Sequence, residues 1–262
     1  MSLGIHSIMN ETALRLPRAP IIEAVLDIDC DLPPTLDLSG LQAAAFEIFR
    51  SRYPKFRQEF IQQHVVTQAG GAAPEVQVNE GLGALQFVTE DEKQLVQFRP
   101  NGFSFNRLAP YTSLDDYLPE IEASWHTFLE LAKPVQIRKI GIRMINRILL
   151  PMPEEQLNFG DFLQVPPRLP TSTGAKLSFL GFLDQHLAMD AETGSRVNIV
   201  QTTQLPEDDK LPLILDIEVF QPCQTIPDDW SVILGRIKSL RNLKNRIFQH
   251  TLTPRCLNLF SQ

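Results

Sequence analysis

The sequence predicts an α+β fold, a largely antiparallel sheet with a few long helices. Runs of strand-like segments are interrupted by single helical segments, which is typical of such folds and not of doubly wound parallel sheets. The chain has 262 residues, 43% of them hydrophobic, enough for one large domain or two coupled halves. Residues 26–29 (L-D-I-D) are similar in sequence to residues 215–218 (L-D-I-E). Two interpretations therefore stay open: two related β-α-β-β-β-α-like halves, or a single fold without a repeat.

The first predicted strand covers residues 21–31, where apolar and polar residues alternate almost strictly. A helix is predicted from Leu38 to the break at Tyr53-Pro54. A second, short helical stretch is predicted over residues 55–63.

Several short strands follow, of which two flank the pair Asn101-Gly102. Both of these residues tolerate positive φ, so the pair predicts a type I′ hairpin turn. The predicted strands cover residues 76–78, 84–89, 94–99 and 103–108.

A long helix is predicted from Asp115 to just before Pro134, because apolar residues recur at steps of three and four. Pro119 is compatible with it only within the first turn. Residues 135–150 then predict a strand that carries three basic side chains on one face.

The C-terminal part begins with a proline-rich segment, residues 151–176. Strands are predicted at 177–189, 196–204 and 212–220, and a last helix from Asp228 to His250. We divide the chain into a flexible leader (1–17), an N-terminal half (18–150), the connection (151–176) and a C-terminal half (177–262). The alternative is that the two halves form one continuous domain.

Composition limits the classes of function. The formal charge is −7, which argues against a general nucleic-acid coat. The three cysteines are widely spaced and belong to no metal-binding pattern, so we expect neither a metal nor a cofactor. No signal peptide or membrane span is recognised, and we expect a cytoplasmic protein with reduced thiols.

The basic strand raises the main functional question. Lys139, Arg143 and Arg147 share one face of it, while Glu23 and Asp27 share a face of the first strand. We favour internal pairing, because opposite charges on neighbouring strands select each other. The partners of the basic strand would be Asp27, Asp29, Asp216 or Glu218. The alternative is that this basic face binds an anion or nucleic acid.

Two single residues allow a structural and a functional interpretation. Asn146 interrupts the apolar face of the basic strand, where a satisfied structural amide is favoured over a binding site. Glu23 could act as a general base, but a carboxylate on the solvent face of a strand is the commoner case.

The C-terminal segment has an unusual charge. No Asp or Glu occurs from Trp230 to Gln262, and Lys238, Arg241 and Arg246 are candidates for a basic helix surface. Such a surface can bind phosphates or an acidic partner. The alternative is docking on the protein's own acidic sheet.

Short motifs follow one another in a fixed order at residues 17–25, 52–54, 102–106, 111–116, 137–148, 246–248 and 251–253. Together they resemble a sporadically distributed, uncharacterised prokaryotic family of about this length. The family has an N-terminal P-I-x-E-A-like motif and a G-x-R-x-I-N-R-like strand, and the resemblance spans nearly the whole chain. It implies no catalytic residues, but its patchy occurrence favours a regulatory or interaction role in mobile or defence-associated genes.

These observations favour an interaction or regulatory protein whose partner is another protein; nucleic acid is possible but not favoured. No catalytic residue is identified, and the oligomeric state stays open. One alternative is a phosphate- or nucleic-acid-directed enzyme or binder using Arg143 and Arg147 with Glu23 and Asp27. Another is a small-molecule pocket between the two halves.

Overall fold

In the part of the chain that the structure describes, nine antiparallel strands form one continuous sheet in the order β2-β3-β4-β5-β1-β6-β9-β8-β7. The computed structural model describes residues 16–67, 75–152, 157–170 and 177–260. Most of the predicted leader, the segment 68–74 (where Gly70, Gly71 and Pro74 predict a loop) and parts of the proline-rich connection lie outside these residues. The strands are β1 (Ile21–Asp31), β2 (Lys55–Thr67), β3 (Glu75–Val88), β4 (Gln94–Arg99), β5 (Gly102–Leu108), β6 (Gln136–Pro151), β7 (Leu183–Met189), β8 (Arg196–Thr203) and β9 (Lys210–Thr225).

Four helices accompany the sheet within the described residues, and the α+β prediction is confirmed. They are α1 (Gln42–Phe49), α2 (Leu114–Ala132), α3 (Trp230–Thr251) and α4 (Pro254–Leu257). Capping side chains start the two long helices: Ser113 accepts from the amide of Asp115, and Asp229 accepts from the amide of Val232. None of the described helices is both long and apolar enough to cross a lipid bilayer.

The helices cover one face of the sheet. Among the described residues, α2 contacts β5, and α3 contacts β6 and β9. The inward side chains alternate along the strands, as in Leu26 and Ile28 of β1, and they share one core with Trp125 and Ile237 of the helices. The side chains in between point to the other face, which we call the open face.

The two halves of the sheet are connected in a similar way. In each half the first strand pairs with the last strand before the long helix: β1 with β5, and β6 with β9. The sheet runs through both halves because β1 also pairs with β6. The sequence similarity between residues 26–29 and 215–218 does not fit this arrangement. Residues 26–29 lie in β1, the first strand of its half, whereas residues 215–218 lie in β9, the last strand of the other half. Both segments instead lie beside β6, one on each side.

The short helix predicted over residues 55–63 is wrong, because this segment is the first part of β2. Phe56 lies opposite Phe87 and Lys55 opposite Val88 in an antiparallel ladder. The spacing of Phe56 and Phe60 fits a helix and a strand alike, so only pairing with β3 decides between them.

The hairpin between β4 and β5 forms as predicted, but its turn is not type I′. Arg99 pairs with Gly102, so Pro100 and Asn101 are the two turn residues, and neither has a positive φ. Gly102 has φ of 141° and lies against the backbone of Ile28, where a Cβ atom would collide.

Pro119 lies inside α2, beyond its first turn. The helix continues through it, although proline supplies no amide to the carbonyl of Asp115. The apolar stripe of α2 therefore outweighs the loss of one backbone hydrogen bond.

Candidate functional site

The open face of the central strands collects most of the predicted site residues. Glu23 and Asp27 of β1 lie there, as do Lys139, Arg143 and Arg147 of β6. On one side of β6, Asp29 lies opposite Lys139. On the other side, Arg143 lies opposite Glu218 of β9.

Arg143 is held by Asp216. Its Nε lies 2.9 Å from Oδ1 and its Nη2 lies 2.5 Å from Oδ2, a bidentate arrangement. These hydrogen bonds hold the pKa of the guanidinium above its ordinary value. Arg143 is thus part of an internal pair, as the favoured interpretation of the sequence expected.

Lys139 and Arg147 are paired as well. Lys139 Nζ lies 2.9 Å from Asp29 Oδ2. Arg147 Nη2 lies 2.6 Å from Glu207 Oε2, and its Nε donates to Gln204. The partner of Arg147 therefore comes from the loop between β8 and β9, which the sequence reasoning did not identify.

The acidic ladder of β1 has a second basic partner, Arg99 of β4. Its Nη2 lies 3.1 Å from Asp27 Oδ1 and 3.0 Å from Asp29 Oδ1. The guanidinium reaches across β5 because Gly102, which separates Arg99 from Asp29 in this row, has no side chain. The sequence indicated this contact only through the predicted hairpin, because pairing of its two strands places Arg99 opposite Gly102.

Asp27 occupies the centre of the open face. Its neighbours across the sheet are Ser104 and Gly141, so small side chains flank it on both sides. Burial raises the pKa of Asp27; Arg99 and Lys139 oppose this, and Glu218 adds to it. The Ser104 hydroxyl is buried, and among the described residues it has no hydrogen-bond partner.

Glu23 accepts a 2.8 Å hydrogen bond from Nδ2 of Asn106 on β5. No ion pair joins Glu23 or Asp27 to Arg143 or Arg147 among the described residues. The geometry therefore does not assemble the anion clamp with acid–base groups that the alternative interpretation required.

Asn146 points away from the open face into the core, where it is almost fully buried. Its Nδ2 donates to the carbonyls of Leu215 and Met144. The amide is thus tied to β9 and to its own strand, which is a structural role.

The residues of the predicted basic helix surface differ in their surroundings: one is ion-paired and two are exposed. Arg241 Nη1 lies 2.7 Å from Asp115 Oδ1 at the start of α2. Lys238 and Arg246 are exposed on α3. The sequence reasoning overlooked Lys244, which belongs to the buried stripe of the same helix.

The described residues contain no group of three or more His, Cys, Asp or Glu side chains placed to hold a metal ion. Two shallow depressions, of about 340 and 390 Å³, lie near Arg138 and near Phe159. Neither is lined by both residues 18–150 and residues 177–262, so neither matches the pocket between halves considered above.

Comparison of the chain with protein-family models, curated protein sequences and solved structures finds no match. The family resemblance proposed from the sequence motifs therefore stays a prediction.

Proposed function

We propose that this protein is an interaction or regulatory protein, and that the open face of its sheet binds a basic surface of a protein partner. The supporting observation is a set of charged side chains on β1, β4, β6 and β9, six of them in ion pairs, which we call the central patch. Its members are Glu23, Asp27, Asp29, Arg99, Lys139, Arg143, Asp216 and Glu218.

The charge of the central patch favours a basic partner. Five carboxylates stand against three cations, a sum of −5 + 3 = −2. Glu218 lies between Arg143 and Asn198 of the neighbouring strands and has no ion pair within the described residues. Its carboxylate is thus the group most available to a partner's Lys or Arg.

The ion pairs also suit recognition more than catalysis. Cations already bound to carboxylates would have to exchange partners before they could bind phosphate, and this exchange costs free energy. Fixed side chains instead present a preformed pattern of alternating charge, which gives specificity at a protein interface.

We also propose that the protein is cytoplasmic. A cytoplasmic location suits the three free thiols of Cys30, Cys223 and Cys256, because that compartment keeps thiols reduced. We also propose that the two halves are related units. The shared pairing of first and last strand supports this, although the described residues include an additional strand in the N-terminal half.

A binding titration tests the proposed partner chemistry. The purified protein is titrated with a Lys/Arg-rich peptide and with a single-stranded oligonucleotide, each at two salt concentrations. We expect the peptide to bind, and Glu218→Gln to weaken its binding about two- to fivefold, since one screened charge pair contributes about 0.5–1 kcal/mol. Glu47→Gln, an exposed change on α1, is the matched control and should leave binding unchanged.

The titration can also contradict the proposal. Tight oligonucleotide binding with a steep salt dependence, together with no binding of the peptide, would favour the phosphate-directed alternative. Equal peptide affinity of the wild type and Glu218→Gln would remove the central patch from the interface.

Arg143→Ala separates a structural role from an anion-binding role. Asp216 is only 14% exposed, and it would lose a bidentate partner. We expect the free energy of unfolding to fall by about 1 kcal/mol, since the arginine itself is half-exposed. Urea denaturation measures this, and oligonucleotide binding should not change.

The control for this variant lies on the same strand. Arg138 pairs with Asp31 at 3.1 Å, but both side chains are well exposed, so Arg138→Ala should change stability by less than about 0.5 kcal/mol. If Arg143→Ala unfolds at the wild-type urea concentration yet loses oligonucleotide affinity, Arg143 belongs to an anion site.

A further inference from the structure

Within the described residues no strand pairs with the outer edge of β7, and this free edge carries three large apolar side chains in contact with solvent. Leu183, Leu187 and Met189 are 70%, 77% and 67% exposed, and all three point to the open face. Natural edge strands usually carry lysine, proline or a bulge that prevents pairing with another strand. β7 contains none of these, so it is suited to an additional strand.

The backbone of β7 restricts how such a strand can pair. The carbonyl of Phe182 accepts from the amide of Thr203, and the amide of Asp190 donates to the carbonyl of Ser195. The register between them is unbroken, so the even-numbered residues of β7 bond to β8. The N–H and C=O groups of the odd-numbered residues, from Leu183 to Met189, therefore point to the free edge.

The side chains of β7 are complementary to those of a second copy. With a two-fold axis through Gln185, the two strands run antiparallel and odd-numbered residues meet odd-numbered residues. Leu183 then lies opposite Leu187 of the other copy, and Asp184 lies opposite His186 of the other copy. The symmetry repeats both pairs, which is the property of an isologous interface.

A register shifted by one pairing step is less favourable. In it His186 would lie opposite His186 of the other copy and Asp184 opposite Ala188 of the other copy, so the contact between Asp184 and His186 across the interface is lost. Registers that place odd-numbered residues opposite even-numbered ones leave the edge hydrogen bonds unmade.

We propose that this protein forms a two-fold dimer in which the β7 strands of two copies pair antiparallel about Gln185. The two nine-stranded sheets become one sheet of eighteen strands, with both open faces on the same side. This interface is separate from the central patch and does not depend on the function proposed for it.

The mass in solution tests the dimer. Sedimentation equilibrium over a dilution series should give the full chain twice its 29.7 kDa. Leu187→Lys should give the monomer mass with an unchanged circular dichroism spectrum. Val135→Lys is the matched control, since Val135 is 66% exposed and lies just before β6, and it should remain dimeric. A monomeric wild type, or a dimeric Leu187→Lys, overturns the proposal.

Four further variants test the register. Gln185→Cys should form an intermolecular disulfide under mild oxidation, because directly opposed Cα atoms about 5.5 Å apart fall within the disulfide range. His186→Cys should cross-link much more slowly. His186→Asp should weaken the dimer by placing two carboxylates opposite each other, and adding Asp184→His should restore it. Faster cross-linking through residue 186 than through residue 185 would overturn this register.

Discussion

Replacing Lys244 with methionine should raise the free energy of unfolding at pH 7 by about 3 kcal/mol. Lys244 lies in the buried stripe of α3 and is only 7% exposed. No hydrogen bond or ion pair joins its amine to another described residue. Burial, and secondarily the charge of Arg241, lowers the pKa of Lys244 to about 8 from its ordinary 10.5.

The sign of the pH dependence follows from this pKa. Between pH 8 and 10.5 the unfolded chain binds a proton at Lys244 that the folded chain has released. The wild type therefore gains stability as the pH rises through this window. Below pH 8 the cost of burying the charged amine is fully present. Methionine has a similar volume and no charge, so its advantage should be largest at pH 7 and should shrink towards pH 10.5.

Urea denaturation at several pH values measures this difference. Lys238→Met is the control on the same helix, because Lys238 is exposed and its substitution should change stability by less than about 0.5 kcal/mol at any pH. A Lys244→Met variant that is less stable than the wild type at pH 7 would show that the amine makes a favourable contact. An advantage that does not change with pH would mean that it comes from packing alone.

Arg52→Ala should lower the free energy of unfolding by about 2–4 kcal/mol, because it leaves a buried carboxylate without its cation. Arg52 pairs with Glu120 of α2, whose side chain is only 6% exposed. The hydroxyl of Tyr53 donates to Glu120 Oε1 at 2.6 Å, and Gln94 Nε2 donates to the same hydroxyl. The hydrogen bond from Tyr53 to Glu120 remains in the variant, so the loss of stability stays below that of a fully unpaired buried charge.

Arg50→Ala provides a matched control from the same segment. Arg50 and Arg52 are 61% and 64% exposed, so the two arginines differ little in burial. The partner of Arg50 is Glu47, which is itself exposed, and the loss should stay below about 0.5 kcal/mol. Thermal and urea denaturation of both variants test the comparison. Equal effects would mean that partner burial does not determine the cost.

Much of the fold could be predicted from local patterns. Strict alternation located β1, and apolar residues at helical spacing located α2 and α3. The segment 55–63 was missed because its apolar spacing suits both periods. Lys244 was missed because a lysine at a core position of a helical stripe gives no apolar signal.

The candidate site was predicted only in part. Alternation along β1 and β6 correctly grouped Glu23 and Asp27 on one face and Lys139, Arg143 and Arg147 on one face. It did not identify Arg99 or Glu207 as partners, since these come from another strand and from a loop. Asn146 was correctly separated from this face by its position in the alternation.

The sequence alone determined which side chains share a face, because a strand turns successive residues to opposite sides with a period of two. Only the tertiary structure decided which strands lie side by side, and hence that Arg143 meets Asp216 and that Asp27 meets Arg99. The order of strands depends on how the whole chain buries its core, and no local period encodes it. The same order leaves β7 at the free edge of the described sheet, where its exposed leucines are available to a second copy of the chain.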